Sequence, residues 1–386
     1  MKRKSILFAL LLVFTLTVML PAATANWIDD AVAAWGDLLP DADPTAPITR
    51  AEFAGVLNGV LGFPAADSPF TDIAGNPFED DINALYGALV TTGMTATTFG
   101  PDLLITREQV AAMIFRAFAL TQGEELVAPD ADEVSDYALG YISALYDNGI
   151  WEGGTDGAVM PKKTFTVAEA FKTIDNASSG GNTLITKSEV IANKTLGNVF
   201  IAPSVGDGEV IFDNVTIGGT LFVRGGGADS IVFKGNSVVG RVIVDKVGDG
   251  SIRIASEGNA LINAIVINDG SDSIIIEGNV GVLVIDGSVE VVIKGEVENV
   301  VITAPAVSLE VAEDASVGEV IVAAAAVGAE IVNNGAIAEL AVAAADTAVD
   351  NQGSIASAVI PESVTVTGTA PEEVSNDTSS INDVYN

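Results

Sequence analysis

Cysteine and histidine are both absent from this chain of 386 residues. Without cysteine the chain has no disulfide framework, no thiolate metal ligand and no thiol nucleophile. Without histidine it lacks the commonest general base and the commonest zinc ligand, and so also the Ser-His-Asp triad and the HExxH motif. The sequence also contains no GxxxxGK[ST] loop and no GxGxxG that opens a helix, so most catalytic templates are excluded.

Basic residues are scarce: 17 Lys and Arg stand against 52 Asp and Glu, for a formal net charge of −35. A molecule this acidic repels phosphate and gains nothing from releasing the counterions of a nucleic acid. Nucleic acid is therefore excluded as a partner.

The first 25 residues have the pattern of a secretory signal peptide: three basic residues, an apolar run, and Ala23-Thr24-Ala25 as a small-x-small cleavage site. We expect cleavage before Asn26; the alternative is an uncleaved N-terminal anchor. No later apolar run approaches the roughly 20 residues that span a bilayer. The sequence thus predicts an exported protein without a membrane span.

Two regions with different periodicities follow. Up to about residue 180, apolar residues recur at spacings of three and four, which is typical of amphipathic helices. Beyond "DNASSGGNT", a Ser/Gly-rich stretch that we interpret as a linker, short β-branched runs alternate with Gly, Asn and Asp. The sequence therefore predicts two domains of different fold class.

The helical region repeats itself. "ITRAEFAGVL" at 48 recurs as "ITREQVAAMI" at 105 and, less faithfully, as "FTVAEAFKTI" at 165. Between the copies lie an acidic turn and an amphipathic helix, as in "FTDIAGNPFEDDINALYGALVTTGM". The predicted unit is helix, loop and capped helix, taken three times.

This threefold ITRAE-type motif resembles the S-layer homology (SLH) domain family. The resemblance implies a pseudo-trimeric, all-α bundle that binds secondary cell wall polysaccharide, often pyruvylated, or a related peptidoglycan-linked polymer. It also implies a location at the cell wall or S-layer. The predicted boundaries are 1–25 for the signal peptide, 26–66, 67–124 and 125–180 for the repeats, 181–365 for a β-solenoid, and 366–386 for a flexible acidic tail.

The threonine and the acid or amide of each motif fit the two ends of a capping box, in which each side chain bonds the other residue's backbone amide. We therefore predict structural roles at the three helix starts for Thr49, Glu52, Thr106, Gln109, Thr166 and Glu169.

Arg50 and Arg107 are different, because a cation at the first helical position faces the positive end of the helix dipole. We expect them to point, with the free first-turn amides, toward a ligand carboxylate. The third motif has Val167 at this position, and Lys162 and Lys163 just before it are candidates to replace the arginine. The alternative is that these cations simply pair with nearby acidic residues.

No cofactor is predicted, although calcium has two weak candidates. "DADPTAPITRAE" places Asp41, Asp43, Thr45 and Glu52 at EF-hand spacing, but Ala46 stands where the loop requires Gly. Spaced carboxylates on the second region could also bind Ca²⁺ diffusely.

The second region contains apolar triplets such as "TLFVRG", "SIIIEG" and "EVVIKG", which follow one another every 8 to 13 residues. Such short strands are stable when stacked in a parallel β-solenoid, where Val and Ile of successive coils form columns. The spacing favours two strands per coil over three. An antiparallel β-sandwich is the rival, but two-residue hairpin turns between neighbouring strands are lacking.

The sequence thus predicts a non-enzymatic surface protein: a three-repeat wall anchor carrying a rigid solenoid as spacer, S-layer component or self-assembly domain. The alternative is a wall-anchored polysaccharide lyase or hydrolase on a β-helix. Such an enzyme would require a groove with converging acid and base, whereas the chain has no Lys or Arg after Lys294.

Overall fold

A helical part and a parallel β-solenoid follow one another along the chain. The structure is a computed structural model, and it describes residues 27–123, 125–152, 156–179, 181–247, 249–269, 273–378 and 381. The predicted signal peptide lies outside the described residues.

The helical part is built from short helices that pack in pairs. These are α1 (Trp27–Trp35), α2 (Arg50–Leu61), α3 (Glu79–Gly87), α4 (Arg107–Ala117), α5 (Leu139–Asp147) and α6 (Val167–Ser178). α2 packs on α3, α4 on α5, and α6 on α1, so the first helix pairs with the last. Among the described residues, no helix is long and apolar enough to cross a bilayer.

A closed ring of backbone hydrogen bonds joins the three motifs just before their helices begin. The amide of Ile48 donates to the carbonyl of Phe165 at 2.9 Å, that of Ile105 to Ile48 at 3.2 Å, and that of Phe165 to Ile105 at 2.9 Å. All three side chains are fully buried or nearly so. The ring fixes the helix starts relative to one another.

The first-turn amides of each motif helix are satisfied by the loop before the next motif. The amide of Arg50 donates to the carbonyl of Leu103 at 2.8 Å, and that of Ala51 to Pro101 at 3.1 Å. The same pattern recurs at the starts of α4 and α6, where the acceptors belong to residues 161–163 and 44–46 respectively. These donors, which a helix start normally leaves unpaired, are thus used within the protein.

The β-solenoid consists of two parallel sheets, as predicted, with two strands per coil. Within the described residues the first sheet has twelve strands, in the order β1-β4-β6-β8-β10-β12-β14-β16-β18-β20-β22, with β3 beside β6. The second has ten strands, in the order β2-β5-β7-β9-β11-β13-β15-β17-β19-β21. Parallel pairing throughout rules out the antiparallel sandwich.

The strands of the first sheet are β1 (Thr183–Ile185), β3 (Thr195–Leu196), β4 (Val199–Ile201), β6 (Thr216–Val223), β8 (Val238–Asp245), β10 (Leu261–Asp269), β12 (Asn279–Ile285), β14 (Glu296–Ile302), β16 (Ser316–Val322), β18 (Ala336–Val342), β20 (Ser354–Val359) and β22 (Glu373–Ser375). Those of the second are β2 (Glu189–Ala192), β5 (Val210–Asp213), β7 (Val232–Lys234), β9 (Ile252–Ser256), β11 (Ile274–Glu277), β13 (Glu290–Ile293), β15 (Ser308–Val311), β17 (Glu330–Asn333), β19 (Ala348–Asn351) and β21 (Val366–Gly368).

Columns of aliphatic side chains form the core between the sheets. Val242, Ile265 and Leu283 lie in register on successive strands, and all are fully buried. In β11, Ile274 and Ile276 point inward while Ile275 between them is half-exposed, as expected when neighbouring residues face opposite sides of a strand. At one corner Gly278 has φ of 82°, and a Cβ there would collide with the carbonyl oxygen of Ser256.

The solenoid extends beyond its predicted end. β21 pairs with β19 and β22 with β20, so residues up to Ser375 belong to the sheets. The prediction of a flexible tail from residue 366 is therefore wrong for this part. Ile381 packs on the outer face against Val301, Ile321 and Ala341.

The helical part and the solenoid share a buried interface. Phe118, just after α4, meets Phe200 of β4 edge-on at 5.0 Å, and Phe200 stacks on Phe222 of β6 at 4.9 Å. Arg224, which is 5% exposed, donates from its guanidinium to the carbonyls of Ala88 (3.4 Å) and Arg116. The predicted linker shortens to the residues between Ser178 and Thr183, and the two parts pack directly together.

Candidate functional site

The three motif threonines begin their helices as N-caps, two of them with both capping-box bonds. The Thr49 hydroxyl accepts from the Glu52 amide at 3.2 Å, and the Glu52 carboxylate accepts from the Thr49 amide at 2.8 Å. Thr166 and Glu169 make the same pair of bonds at 3.2 and 2.9 Å. The side chains of Thr49, Glu52 and Thr166 are thus used in holding helix ends.

The second motif is capped less completely. The Gln109 side chain accepts from the Thr106 amide at 3.2 Å. The hydroxyl oxygen of Thr106, however, is buried and has no hydrogen-bond partner among the described residues. This helix start therefore has one capping hydrogen bond fewer than the other two.

Arg50 lies at the first position of α2, yet it is buried rather than extended into solvent, with 4% of its surface exposed. Its Nε donates to the carbonyl of Phe99 at 2.9 Å, and its guanidinium lies 4.6 Å from the centre of the Phe99 ring. Burial lowers the pKa of Arg50 to about 10, although Tyr137 and Asp72 counteract this. No ion pair found among the described residues involves Arg50.

Asp72, from the acidic turn before α3, fixes the loop that receives Arg50. Its carboxylate accepts from the amides of Phe99 and Gly100, both at 2.8 Å. Burial alone would raise the pKa of Asp72, but these amides hold it below its ordinary value. The carboxylate of Asp130 likewise accepts from the amides of Val159 and Met160 beside the next helix, at 2.9 and 2.7 Å.

Arg50 faces a groove of about 380 Å³ between the first and second motif helices. Its polar lining comes from Arg50, Arg116, Tyr137, Gln109, Thr91 and Thr92. Burial, with the Glu108 carboxylate to which the hydroxyl donates, raises the pKa of Tyr137 to about 12, so the hydroxyl stays protonated. No carboxylate is among the described residues that line this groove, which is therefore suited to an anion.

Arg107 is buried, hydrogen-bonded and placed over an aromatic ring as Arg50 is, but its charge has a carboxylate partner. Its Nε donates to the carbonyl of Val159 at 2.8 Å, and its guanidinium lies 4.5 Å from the Trp151 ring centre. Unlike Arg50, it has a carboxylate within 4 Å among the described residues: Glu169 lies 3.8 Å away. The two arginines thus share a structural role and differ in charge compensation.

The two lysines before the third motif are also ion-paired. Lys162 contacts the carboxylate of Glu108 at 2.7 Å and the hydroxyl of Ser135 at 2.6 Å. Lys163 pairs with Glu169, in the first turn of α6, at 2.7 Å. Lys162 therefore lies beside α4, and Lys163 is the one that reaches the motif helix carrying Val167.

One part of the sequence interpretation is wrong. The first-turn amides do not join the arginines in facing a ligand, because carbonyls of the next loop already accept from them. Two groove residues were also missed. Arg116 lies deep in a helical pattern and Tyr137 in an acidic turn, and only their spatial convergence with Arg50 gives either a role.

The calcium candidates gain no support from geometry. The Asp43 carboxylate accepts from the amide and hydroxyl of Thr45 at 2.9 and 2.8 Å, while Glu52 caps α2. Across the described ranges, no group of three acidic side chains is close enough to hold a metal ion.

The solenoid has a groove of about 570 Å³ on its outer surface, at strands β10, β12 and β14. Glu296 and Glu298 line it together with Leu261, Asn263 and Asn279. No lysine, arginine or tyrosine is among its described lining residues. The groove thus has carboxylates but no cation to oppose them.

Comparison with known proteins relates the helical part to one family. Residues 69–111 and 129–171 match the family model of the S-layer homology domain. Over 140 residues the chain is 36% identical to an endoglucanase of Bacillus sp. (strain KSM-635). The aligned segment covers 34% of this chain and 15% of that protein.

Two further relatives are surface proteins. The surface-layer 125 kDa protein of Lysinibacillus sphaericus is 28% identical over 178 residues, 43% of this chain and 15% of that protein. A cell surface protein of Thermoanaerobacter kivui is 28% identical over 125 residues, 31% of this chain and 16% of that protein. Each match thus spans only a small part of the relative. Two segments of the chain thus match the S-layer homology family model, and these matches, with the surface-protein relatives, support a location at the cell surface or cell wall.

Proposed function

We propose that the helical part is a non-covalent wall anchor that binds an acidic secondary cell wall polysaccharide in the groove at Arg50. The observation that carries this proposal is the state of Arg50: a buried guanidinium without a carboxylate partner among the described residues, facing an open groove. Burying a charge is costly unless it is paired. A carboxylate of the ligand would supply the missing partner.

The surroundings of Arg50 favour an anionic saccharide. Arg116 adds a second cation, and the groove also presents the hydrogen-bonding groups that sugar hydroxyls require, from Tyr137, Gln109, Thr91 and Thr92. The net charge of −35 opposes this only weakly, because charges beyond about 10 Å are screened at physiological salt. A pyruvylated sugar has the required combination of carboxylate and hydroxyls.

We infer further that residues 26–66, 67–124 and 125–180 are three SLH repeats arranged as a pseudo-trimer. The closed ring through Ile48, Ile105 and Phe165 supports this, as does the packing of α1 on α6. In this arrangement Arg107, with Lys162 and Lys163, forms a second and weaker site, because each of these cations already has Glu169 or Glu108 as an ion-pair partner. Val167 leaves the third position without an arginine.

The solenoid would act as a rigid spacer or assembly domain of a surface structural protein. Its outer groove carries Glu296 and Glu298, but no side-chain hydrogen bond or ion pair found among the described residues involves either of them. In a glycosidase, one carboxyl group must be protonated while the other is ionised, and neighbouring side chains create this difference. The groove shows no such neighbours among the described residues. The endoglucanase named above is matched over only 15% of its length, so its activity is not transferred to this chain.

A matched pair of variants tests the proposal: Arg50→Met and Arg107→Met, in the mature chain, each removing one stacked, backbone-bonded guanidinium. Binding is measured by co-sedimentation with purified cell walls, intact or stripped of their acidic polysaccharide. We expect Arg50→Met to weaken binding to intact walls by about 10-fold to 150-fold, as for the loss of a hydrogen bond to a charged group. Arg107→Met should weaken it less.

Walls stripped of their acidic polysaccharide should bind the unmodified chain and both variants only weakly. The proposal is wrong if Arg50→Met binds intact walls as tightly as the unmodified chain, or if stripping the acidic polymer leaves binding unchanged.

A further inference from the structure

A second cavity, of about 410 Å³, lies between the helical part and the solenoid. The helical part contributes Leu89, Phe115 and Arg116, and the solenoid contributes Asp245, Asn268 and Asp269. We call it the interdomain cleft. Its volume falls within the range of roughly 300 to 1,000 Å³ that is typical of small-molecule sites.

The cleft and the groove at Arg50 meet at one residue. Arg116 of α4 lines both cavities. A sugar polymer long enough to extend past Arg116 would therefore reach both cavities.

Two residues of the cleft have backbone conformations that a side chain disfavours. Leu89 has φ of 57° and Ala119 has φ of 51°, in the left-handed region where Gly is the usual residue. Glycine does occupy the corresponding places elsewhere: Gly149 follows α5 as Leu89 follows α3, and Gly62 stands at the same distance from Arg50 as Ala119 from Arg107. Strained residues of this kind concentrate where a side chain serves a ligand.

The Leu89 side chain is also 68% exposed, so burial in the core does not offset the backbone strain. It lies beside Ala88, whose carbonyl accepts from the guanidinium of Arg224. Arg224 pairs with Asp245 at 3.2 Å, while its Nε is buried without a hydrogen-bond partner among the described residues. The rim of the cleft is thus held in place from the solenoid side.

We propose that the interdomain cleft is a second saccharide subsite, which the solenoid completes and which continues the groove at Arg50. Sugar units combine hydroxyls with an apolar ring face. Asn268 offers an amide and Asp245, beside its partner Arg224, an acceptor to the hydroxyls, and Leu89 with Phe115 offers an apolar surface to the ring. This inference rests on the proposed wall-anchor function and extends it: the polymer contacts both domains, so longer fragments bind more tightly than single repeat units.

The test uses saccharide fragments released from purified cell walls and separated into single repeat units and longer oligomers. Affinities of the mature chain are measured by calorimetry for Leu89→Gly and Asn268→Ala. Asn263→Ala is the matched control, since Asn263 is an exposed residue on the same strand but outside the cleft. Arg50→Met is included to report on the first site.

We expect Asn268→Ala to weaken the binding of oligomers by about threefold to tenfold, the effect of one hydrogen bond, and to leave single units unaffected. Leu89→Gly should also weaken the binding of oligomers and leave single units unaffected. The melting temperature of this variant should stay unchanged or rise, because glycine relieves the strained backbone. Arg50→Met should weaken both classes of fragment.

The subsite is disproved if Leu89→Gly and Asn268→Ala bind oligomers as tightly as Asn263→Ala does while Arg50→Met is impaired. If Arg50→Met binds both classes normally, the proposed function itself fails, and the cleft proposal fails with it.

Discussion

At the scale of single residues, Arg50 and Arg107 show how one structural position can serve two purposes. Each donates from Nε to a carbonyl of the next loop and lies over an aromatic ring. Of the two, only Arg107 has a carboxylate within 4 Å among the described residues. In two of the three motifs the position therefore uses arginine for packing, and the surroundings of the arginine decide whether its charge is available to a ligand.

The two arginines should differ in their contribution to stability. Arg50→Met loses a backbone hydrogen bond but also removes an unpaired buried charge, so we expect a cost of about 1 kcal/mol. Arg107→Met loses the same bond and an ion pair of Glu169, so we expect about 2 kcal/mol. Thermal melts check this order, and a larger loss for Arg50→Met would contradict our account of its charge.

The sequence was informative about these residues only in part. Arg50 and Arg107 were conspicuous because a cation is unfavourable at a helix start, and the motif threonines followed from capping rules. Burial of the arginines could not be predicted, since it depends on Phe99 and Trp151 from other segments. Arg116 and Tyr137 gave no local signal at all.

At the scale of elements, the solenoid strands follow closely from their apolar triplets. A triplet such as Ile274-Ile275-Ile276 predicts a short strand, and parallel stacking supplies the neighbours that it needs. Which residue faces the core is decided by the register of the whole stack. The end of the solenoid was misjudged because Val366–Gly368 and Glu373–Ser375 are short and polar, and only pairing with β19 and β20 defines them as strands.

Stacking in register also places like charges next to one another. Glu319 of β16 lies directly beside Glu339 of β18, and burial, with Glu339, raises the pKa of Glu319. A carboxyl with a raised pKa in the folded state costs stability above that pKa, and the cost disappears below the ordinary value. The repulsion should therefore be felt at neutral pH and vanish in acid.

Glu319→Gln should accordingly stabilise the protein by about 0.5 kcal/mol at pH 7 and by nothing below about pH 4. Denaturant unfolding at the two pH values measures the difference. Glu330→Gln is the control, because the register neighbours of Glu330 are the uncharged Ser308 and Ala348. An equal gain from both variants, or a gain that persists in acid, would show that the like-charge pair is not the cause.

At the scale of the whole molecule, the interface between helices and solenoid is the feature that the sequence did not predict. A Ser/Gly-rich linker indicates independent domains, yet the aromatic residues Phe118, Phe200 and Phe222 pack across the boundary. The sequence does contain a signal for this interface. In "VFI" (199–201) and "LFV" (221–223) the middle residue, which points to the outer face of the sheet, is Phe, although such a face is normally polar. A large aromatic side chain at the outward-facing position indicates that this part of the outer face is covered.

Arg224 should be the residue on which coupling of the two parts depends. Arg224→Met keeps most of the volume but leaves the carbonyls of Ala88 and Arg116 without this donor, at about 1 to 3 kcal/mol. We expect calorimetry to show a single unfolding transition for the unmodified chain and two for the variant. Arg241→Met, at an exposed arginine of β8, should retain one transition. Two transitions already present in the unmodified chain would refute this role.

The ten stacked strands of the second sheet, at about 4.8 Å per coil, make the solenoid a rod roughly 45 Å long. Because Phe200, Phe222 and Arg224 clamp one end of it to the helices, the rod acts as a lever. A sideways pull at the far tip therefore loads the contacts of the clamp with a force that exceeds the pull itself by about the ratio of rod length to clamp width. If the helical part anchors the protein to a wall as proposed, flow past the cell would concentrate its load on this clamp.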